Sequence, residues 1–285
     1  MKMNGNSGEV DLHVHTYFSD GLLSPKEIVE KALEMGLRAI SITDHDSVDG
    51  VFPAIQAAEG TELEIVPGIE ISASMGENEA HILGYLIDWK EGDLTKALNA
   101  MREKRIERMH KMVRLLQEKG MDISDEEVIE SSPLGTIGRL QLARVMVHKN
   151  LVKNLRTAFD GYIGNGKPCH VGHEYLDYVK AINMIRKAGG VPVLAHPGTM
   201  GSDKDIPIYV EAGLRGLEAY HTKHWPATSD RYTEMASKYG LLITGGSDCH
   251  GILGKDMRMG KVRVGYDTVE KLREEARIIR DEKIS

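Results

Sequence analysis

The sequence predicts an α/β fold, and three observations carry that expectation. Short apolar runs of strand character alternate with amphipathic helical stretches along most of the chain. Most of these runs end directly in histidine, aspartate or glutamate. One internal stretch breaks the alternation and carries helical spacing alone. At 285 residues, one large β/α domain with an insertion accounts for all three. The predicted domain covers residues 9–91 and 169–285, and the helical insertion covers 92–168.

The first predicted strand runs through Val10-Asp11-Leu12-His13-Val14-His15 into a loop holding Asp20 and Gly21. Residues two apart in a strand face the same side, so His13 and His15 aim together while Val14 turns into the core. Ser24-Pro25-Lys26-Glu27 then supplies an N-cap serine, a first-turn proline and the glutamate of a capping box. Ile28, Val29, Ala32, Leu33 and Met35 give that helix its apolar face, and Gly36 ends it. Arg38 to Thr43 reads as a strand buried on both sides, delivering Asp44-His45-Asp46. A helix over Val51 to Ala58 and a strand over Leu63 to Val66 follow. Pro67-Gly68 is expected to break that strand before Ile69-Glu70-Ile71-Ser72. His81 to Ile87 reads as a further strand, antiparallel after the Gly76 to Glu79 turn.

In the insertion, Leu94, Leu98, Met101, Met109, Met112 and Leu116 recur at helical spacing, and basic residues from Arg102 to Arg114 cover the remainder. Those basic residues read as a solvated face or as a lid over an anionic substrate. Further helices are expected over Asp125 to Glu130 and Gly138 to Lys149. The alternation resumes with a helix over Tyr175 to Ala188 and a strand, Val191 to Ala195, that delivers His196-Pro197-Gly198. A helix over Ile206 to Ala212, a strand over Gly216 to Tyr220 and a helix over Ala227 to Tyr239 come next. The strand Leu241 to Thr244 delivers Gly245-Gly246-Ser247-Asp248-Cys249-His250-Gly251, and Thr268 to Asp281 closes the chain as a helix.

Composition narrows the function class. A net charge of −7 excludes a uniformly basic nucleic-acid surface. Two cysteines, Cys169 and Cys249, are too few for a disulfide framework. Met1 to Gly8 is polar, and no apolar run is long enough to span a bilayer, so the expectation is a cytoplasmic protein with no membrane partner. Twelve histidines against three phenylalanines and two tryptophans form the one compositional oddity.

The histidines fall into a pattern. His13, His15, His45, Glu70, His196, Asp248 and His250 all sit on or just beyond the C-terminal ends of predicted strands, with Asp20 in the first loop and His81 opening the strand after Glu70. In β/α barrels that end of the sheet carries the active site. Taken singly, each motif also reads as a turn or a helix cap. Six histidines and three carboxylates exceed the four ligands of one tetrahedral ion, which points to two or three ions with a bridging carboxylate such as Glu70. Ions about 3.5–4 Å apart can clamp the attacking and leaving oxygens of a phosphoryl displacement. The nitrogen and oxygen donor set suits Mn, Fe or Zn better than Mg alone. Cys249, between two proposed ligands, should face away as a small buried residue.

These motifs resemble the PHP family, the polymerase and histidinol phosphatase superfamily of metal-dependent phosphoesterases. The likeness rests on Asp11-Leu12-His13-Val14-His15 with Asp20-Gly21, Thr43-Asp44-His45-Asp46, Pro67-Gly68-Ile69-Glu70-Ile71, His81-Ile82-Leu83-Gly84-Tyr85, Ala195-His196-Pro197-Gly198 and the Gly246 to Gly251 run. It implies a distorted (β/α)7 TIM-like barrel with a trinuclear site. One ion would take His13, His15, Glu70 and Asp248, a second Glu70, His81 and His196, and a third Asp20, His45 and His250. Asp20 stands where some relatives carry histidine, which makes the third site more oxygen-rich and favours Mn or Mg there.

Within the insertion, Gly138-Arg139, Ala143-Arg144, Ala158-Phe159, Tyr162 and Gly166-Lys167-Pro168 resemble the branch that hydrolyses nucleoside 3′,5′-bisphosphates, some of whose members trim short RNA from the 5′ end. The resemblance implies that Arg139 holds a phosphate and that His224 lies near the substrate, as catalytic or substrate-binding residues. Gln141 departs from the branch, standing where many relatives carry a histidine. His110, His148, His170, His173 and His221 read as surface or packing residues. The implied function is hydrolysis of a nucleotide phosphate monoester by a metal-bridging hydroxide. The alternatives are a 5′-to-3′ exonuclease on short oligonucleotides, a histidinol phosphatase, and a non-catalytic nucleotide-binding module. Degenerate copies of the last kind should lack ligands, whereas all nine positions are filled here.

Overall fold

The computed structural model describes residues 9–76, 78–131, 135–172, 174–200, 202–251 and 257–282. Of the positions read from sequence, Met1 to Gly8, Glu77 in the predicted turn and His173 lie outside them. The chain divides into two compact units, Met1–Thr95 with Tyr175–Ser285, and Lys96–Glu174.

The first unit is built on a mixed sheet. Its strands are β1 (Val10–Val14), β2 (Ala39–Ile42), β3 (Glu64–Met75), β4 (Asn78–Tyr85), β5 (Leu176–Asp177), β6 (Val191–Leu194), β7 (Gly216–His221) and β8 (Leu242–Gly246). They are ordered β1-β2-β3-β4-β6-β7-β8, with the short β5 beside β3. Only β4 runs against its two neighbours in that path; β1–β2, β2–β3, β6–β7 and β7–β8 are parallel. The path nearly closes, because Val14 bridges to Cys249 just beyond β8 and the His15 N–H donates to the Cys249 carbonyl at 2.9 Å. The result is the distorted barrel expected from the sequence. Every residue of β1, β2 and β6 is buried, as befits parallel strands covered on both faces.

Helices cover the sheet where the sequence patterns them. In α1 (Pro25–Glu34) the Ser24 hydroxyl accepts the Glu27 N–H at 3.2 Å while Glu27 accepts the Ser24 N–H at 2.8 Å. Such a cap contributes about 1 kcal/mol. Ile28, Val29 and Ala32 of α1 pack with Ala54 and Ala58 of α2 (Val51–Ala58) and with Ile40 and Ile42 of β2. The final helix lies against the strands through Val269, Leu272, Ala276 and Ile279, which join Val10, Leu12, Val191 and Val193 in one cluster.

Two sequence expectations are corrected here. Pro67-Gly68 does not break β3. The strand continues and changes partner instead, pairing in parallel with β2 through Pro67 and antiparallel with β4 from Gly68. Gly68 permits this because a Cβ there would stand 2.4 Å from the Ser41 hydroxyl. The helix expected from Tyr175 begins only at Tyr178, since Leu176 and Asp177 pair with β3 and the Asp177 carboxylate caps the helix at Val179 N–H.

The second unit holds, among its described residues, most of α3 (Gly92–Glu118), then α4 (Asp125–Glu130), α5 (Arg139–His148), α6 (Leu155–Ala158) and a π-helical turn at Phe159–Ile163. Met109, Met112, Val113 and Leu116 of α3 pack with Val128, Leu142, Ala143 and Met146 in a core of their own.

Candidate metal centre

Glu70 sits midway along β3, where the strand turns from one partner to the other, and its carboxylate is buried. Five imidazoles converge on it. Oε2 lies 3.2 Å from His13 Nε2, 3.2 Å from His15 Nε2 and 3.3 Å from His45 Nδ1. Oε1 lies 2.9 Å from His81 Nδ1 and 3.0 Å from His196 Nε2. The sheet explains the meeting. His13, His15, His45 and His196 lie at or beyond the C-terminal ends of parallel strands, while the reversed β4 brings its beginning, with His81, to that same end.

Around this carboxylate the donor atoms form overlapping groups, each with its atoms within 4.8 Å of one another. One is His13, His15, Glu70 and Asp248, all buried. A second is His15, Asp20, His45 and His250, where His250 Nε2 lies 3.1 Å from Asp20 Oδ1. A third is His45, Glu70 and His81, and His196 meets the same Glu70 oxygen as His81. All nine residues singled out from the sequence as ligands are therefore gathered at one end of the sheet.

The donor set fits divalent cations. It is made of imidazole nitrogens and carboxylate oxygens, the borderline-to-hard donors suited to first-row divalent metals. His15 Nδ1 is buried with no hydrogen-bond partner among the described residues. The thiol expected to turn away does so: Cys249 is buried with Sγ 3.5 Å from Met257 Sδ.

The charge balance points the same way. Burial works against charge on His13, yet Glu218 and Glu70 overcome it and hold the imidazole well above its usual range. Burial is likewise outweighed at His15 by Asp248 and Glu70, and at His81 by Glu70 and Glu79, so both are pushed up to about 10. Despite burial, neighbouring histidines hold Glu70, Asp248 and Asp20 below the usual carboxylate range. For His45 burial wins and brings it down to about 4, and burial lowers His196 too. Buried carboxylates here are balanced by imidazolium charge, the role that bound cations would take over.

Several residues that hold the ligands were not found from the sequence. Glu218, buried in β7, accepts from His13 Nδ1 at 2.9 Å and from the His196 backbone N–H at 2.7 Å. Asp44 accepts from the Thr16 N–H and the hydroxyls of Thr16 and Ser19, pinning the loop that carries Asp20. Asp11 accepts from the Ser247 and Gly260 N–H groups, each at 2.8 Å. The signal available in sequence was a charged residue at an inward position of an otherwise apolar strand. His221, read as a surface or packing residue, is the packed case: it is buried with Nε2 3.4 Å from Asp248 Oδ2, because β7 runs one residue beyond its expected end and carries it inward. Three of the ligand turns are strained: Asp46, His196 and Asp248 hold φ of 49°, 28° and 53°. Such backbone persists where the surroundings fix it, commonly at functional sites.

The two residues read as substrate contacts lie in different units. His224 uses both ring nitrogens on backbone, Nδ1 donating to the Ala219 carbonyl at 2.9 Å and Nε2 accepting the Gly198 N–H at 3.1 Å. Arg139 opens α5, with Nη1 donating to Asn165 Oδ1 at 2.6 Å. Gln141, the departure from the branch pattern, caps the same helix by accepting the Gly138 N–H at 3.1 Å.

Known proteins give this geometry a family. The PHP domain family matches residues 11–183. A 3′,5′-nucleoside bisphosphate phosphatase of Chromobacterium violaceum is 33% identical, covering 87% of this chain and 90% of its own. A phosphoribosyl 1,2-cyclic phosphate 1,2-diphosphodiesterase of Eggerthella lenta is also 33% identical, covering 88% and 97%. The 5′-3′ exoribonuclease Rnm of Escherichia coli is 28% identical, covering 84% of each. With these likenesses and a centre of buried histidines and carboxylates, the chain belongs to the PHP-domain family of metal-dependent phosphoesterases, hydrolases of phosphoester bonds.

Proposed function

We propose that the chain is a phosphatase that removes a phosphate monoester from a nucleotide, such as a nucleoside 3′,5′-bisphosphate. The observation that carries this reading is the Glu70 carboxylate with five imidazoles within 3.3 Å, in a chain similar over 87% of its length to a nucleoside bisphosphate phosphatase. His13, His15, Glu70 and Asp248 would hold one divalent ion, Glu70, His81 and His196 a second, and Asp20, His45 and His250 a third. Mn is the first choice, with Fe, Zn or Mg as alternatives. Bound there, such ions supply an activated water and neutralise charge on the phosphoryl oxygens.

The chain's own residues set the rest. Glu218 fixes His13 and the His196 turn at once. His224 holds Gly198 of that turn, and with both nitrogens on backbone it is better placed to orient than to donate a proton. Arg139, in the insertion, offers a planar fork of donors to a phosphate.

Hydrolysis of a diester is the second reading, favoured by the diphosphodiesterase and exoribonuclease relatives. The test is phosphate and nucleotide release by the Mn-loaded protein from adenosine 3′,5′-bisphosphate, a 5′-phosphorylated oligoribonucleotide and a ribose cyclic phosphate. Fastest turnover of the bisphosphate is expected. Turnover of the oligonucleotide or the cyclic ester alone would overturn the monoesterase reading in favour of the diesterase.

A further inference from the structure

The segment between β7 and the helix Pro226–Tyr239 carries two side chains that are neither among the converging donors nor in the core. Lys223 extends from solvent to the edge of the ligand cluster: its side chain is half exposed, yet Nζ lies 3.2 Å from Asp248 Oδ2. Trp225 is 79% exposed, while the other exposed large hydrophobics among the described residues fall between 39% and 51%. An indole gives most to a fold when buried, so this one contributes little to packing.

The backbone beneath the indole is nevertheless tied down by hydrogen bonds. Trp225 is the N-cap of that helix, and its carbonyl accepts from the Thr228 and Ser229 N–H groups at 2.8 and 3.0 Å. His224, immediately before it, is tied to Ala219 and Gly198. Its ring also lies 5.4 Å from His221 and 5.3 Å from Tyr232. The Cα atoms of Lys223 and Trp225 are at most about 7.6 Å apart. The indole is thus carried on the same short segment whose lysine reaches the ligand cluster.

We propose that Trp225 is the platform on which the base of a nucleotide stacks while its phosphate is held at the metal centre, with Lys223 donating to a phosphoryl oxygen. This rests on the nucleotide phosphatase reading and deepens it, because it assigns the preference for nucleotides over plain sugar phosphates to one side chain. Every base has a π-face, so the platform favours nucleotides as a class with little choice among bases.

Two measurements test it. Trp225→Ala is expected to lower the ratio of kcat/KM for adenosine 3′,5′-bisphosphate over that for ribose 5-phosphate roughly tenfold, mainly through KM, and Trp225→Phe to restore most of the loss. Adenosine 3′,5′-bisphosphate is also expected to quench the indole fluorescence of the metal-loaded protein, with the quench kept in Trp89→Phe and lost in Trp225→Phe. An unchanged ratio in Trp225→Ala, an absent quench, or a quench carried by Trp89 overturns the platform. A quench assigned to Trp225 without phosphate release from any nucleotide would uphold stacking and overturn the phosphatase reading instead.

Discussion

His13 Nδ1 and a Glu218 carboxylate oxygen meet at 2.9 Å, 205 residues apart in sequence and fully buried. The bond takes up Nδ1 and leaves Nε2 directed at Glu70, His15 and Asp248. The other Glu218 oxygen accepts the His196 N–H, so one carboxylate sets a ligand on β1 and the turn after β6 together. A carboxylate behind a ligating imidazole fixes its tautomer and raises its basicity.

Replacing Glu218 by glutamine keeps the shape and removes the charge. Metal affinity is expected to fall roughly 10–100-fold, with the helical content by circular dichroism unchanged. Titration of the metal-free variant with Mn measures this, and wild-type affinity would sink the positioning role.

The barrel was legible because its signals are local. Strand runs that end in His13-Val14-His15, Asp44-His45-Asp46 and His196-Pro197-Gly198 carry periodicity and chemistry in adjacent residues. The supporting residues were not, because their roles depend on pairing across the sheet. Glu218 reads in sequence as one charged residue in a strand, and only the β7 register brings it to His13. His221 could be read only as surface or packing for the same reason: its burial follows from where β7 ends. Pro67-Gly68 misled in the other direction, since a local breaker signal lost to a strand with a different partner on each side of it.

Closure of the sheet predicts a second outcome. A Cβ at Gly246 would fall 2.3 Å from His13 Cβ and 2.5 Å from its backbone nitrogen, with no flexible side-chain end to yield. Gly246→Ala must push β8 away from β1 and tilt His13. A loss of about 1–3 kcal/mol is expected, together with reduced Mn content after reconstitution. Denaturant melts and metal analysis of the purified variant check both parts, and a wild-type melt would contradict the close approach.

The crowded carboxylates predict the effect of stripping metal. Asp20, Glu70, Glu218 and Asp248 crowd one end of the barrel, and cations bound there lower the energy of the folded state alone. Mn at a hundred times its dissociation constant should stabilise the chelator-treated protein by about 2.7 kcal/mol per site. Thermal unfolding across a Mn series reads this directly. A midpoint independent of Mn would argue against binding at the centre.

Asp11 ties the last ligand loop to the first strand, which leads to the sharpest structural test. Its Oδ1 accepts the Ser247 N–H at 2.8 Å and its Oδ2 the Gly260 N–H at 2.8 Å, in a fully buried setting. Burial pushes the carboxyl above its usual range, while the N–H groups of Gly260 and Ser247 pull it back down. Asparagine has the same outline but only one accepting oxygen, so its amide N–H must face one of these backbone donors. A buried donor left without an acceptor costs about 1–3 kcal/mol. Ser247 precedes Asp248, so the loss should loosen a metal ligand as well as the fold. Asp11→Asn is therefore expected to lower the unfolding free energy in urea by that amount and to weaken Mn binding, even though Asp11 is not itself among the converging donors. A variant that is destabilised yet binds Mn with wild-type affinity would confine Asp11 to holding the barrel closed.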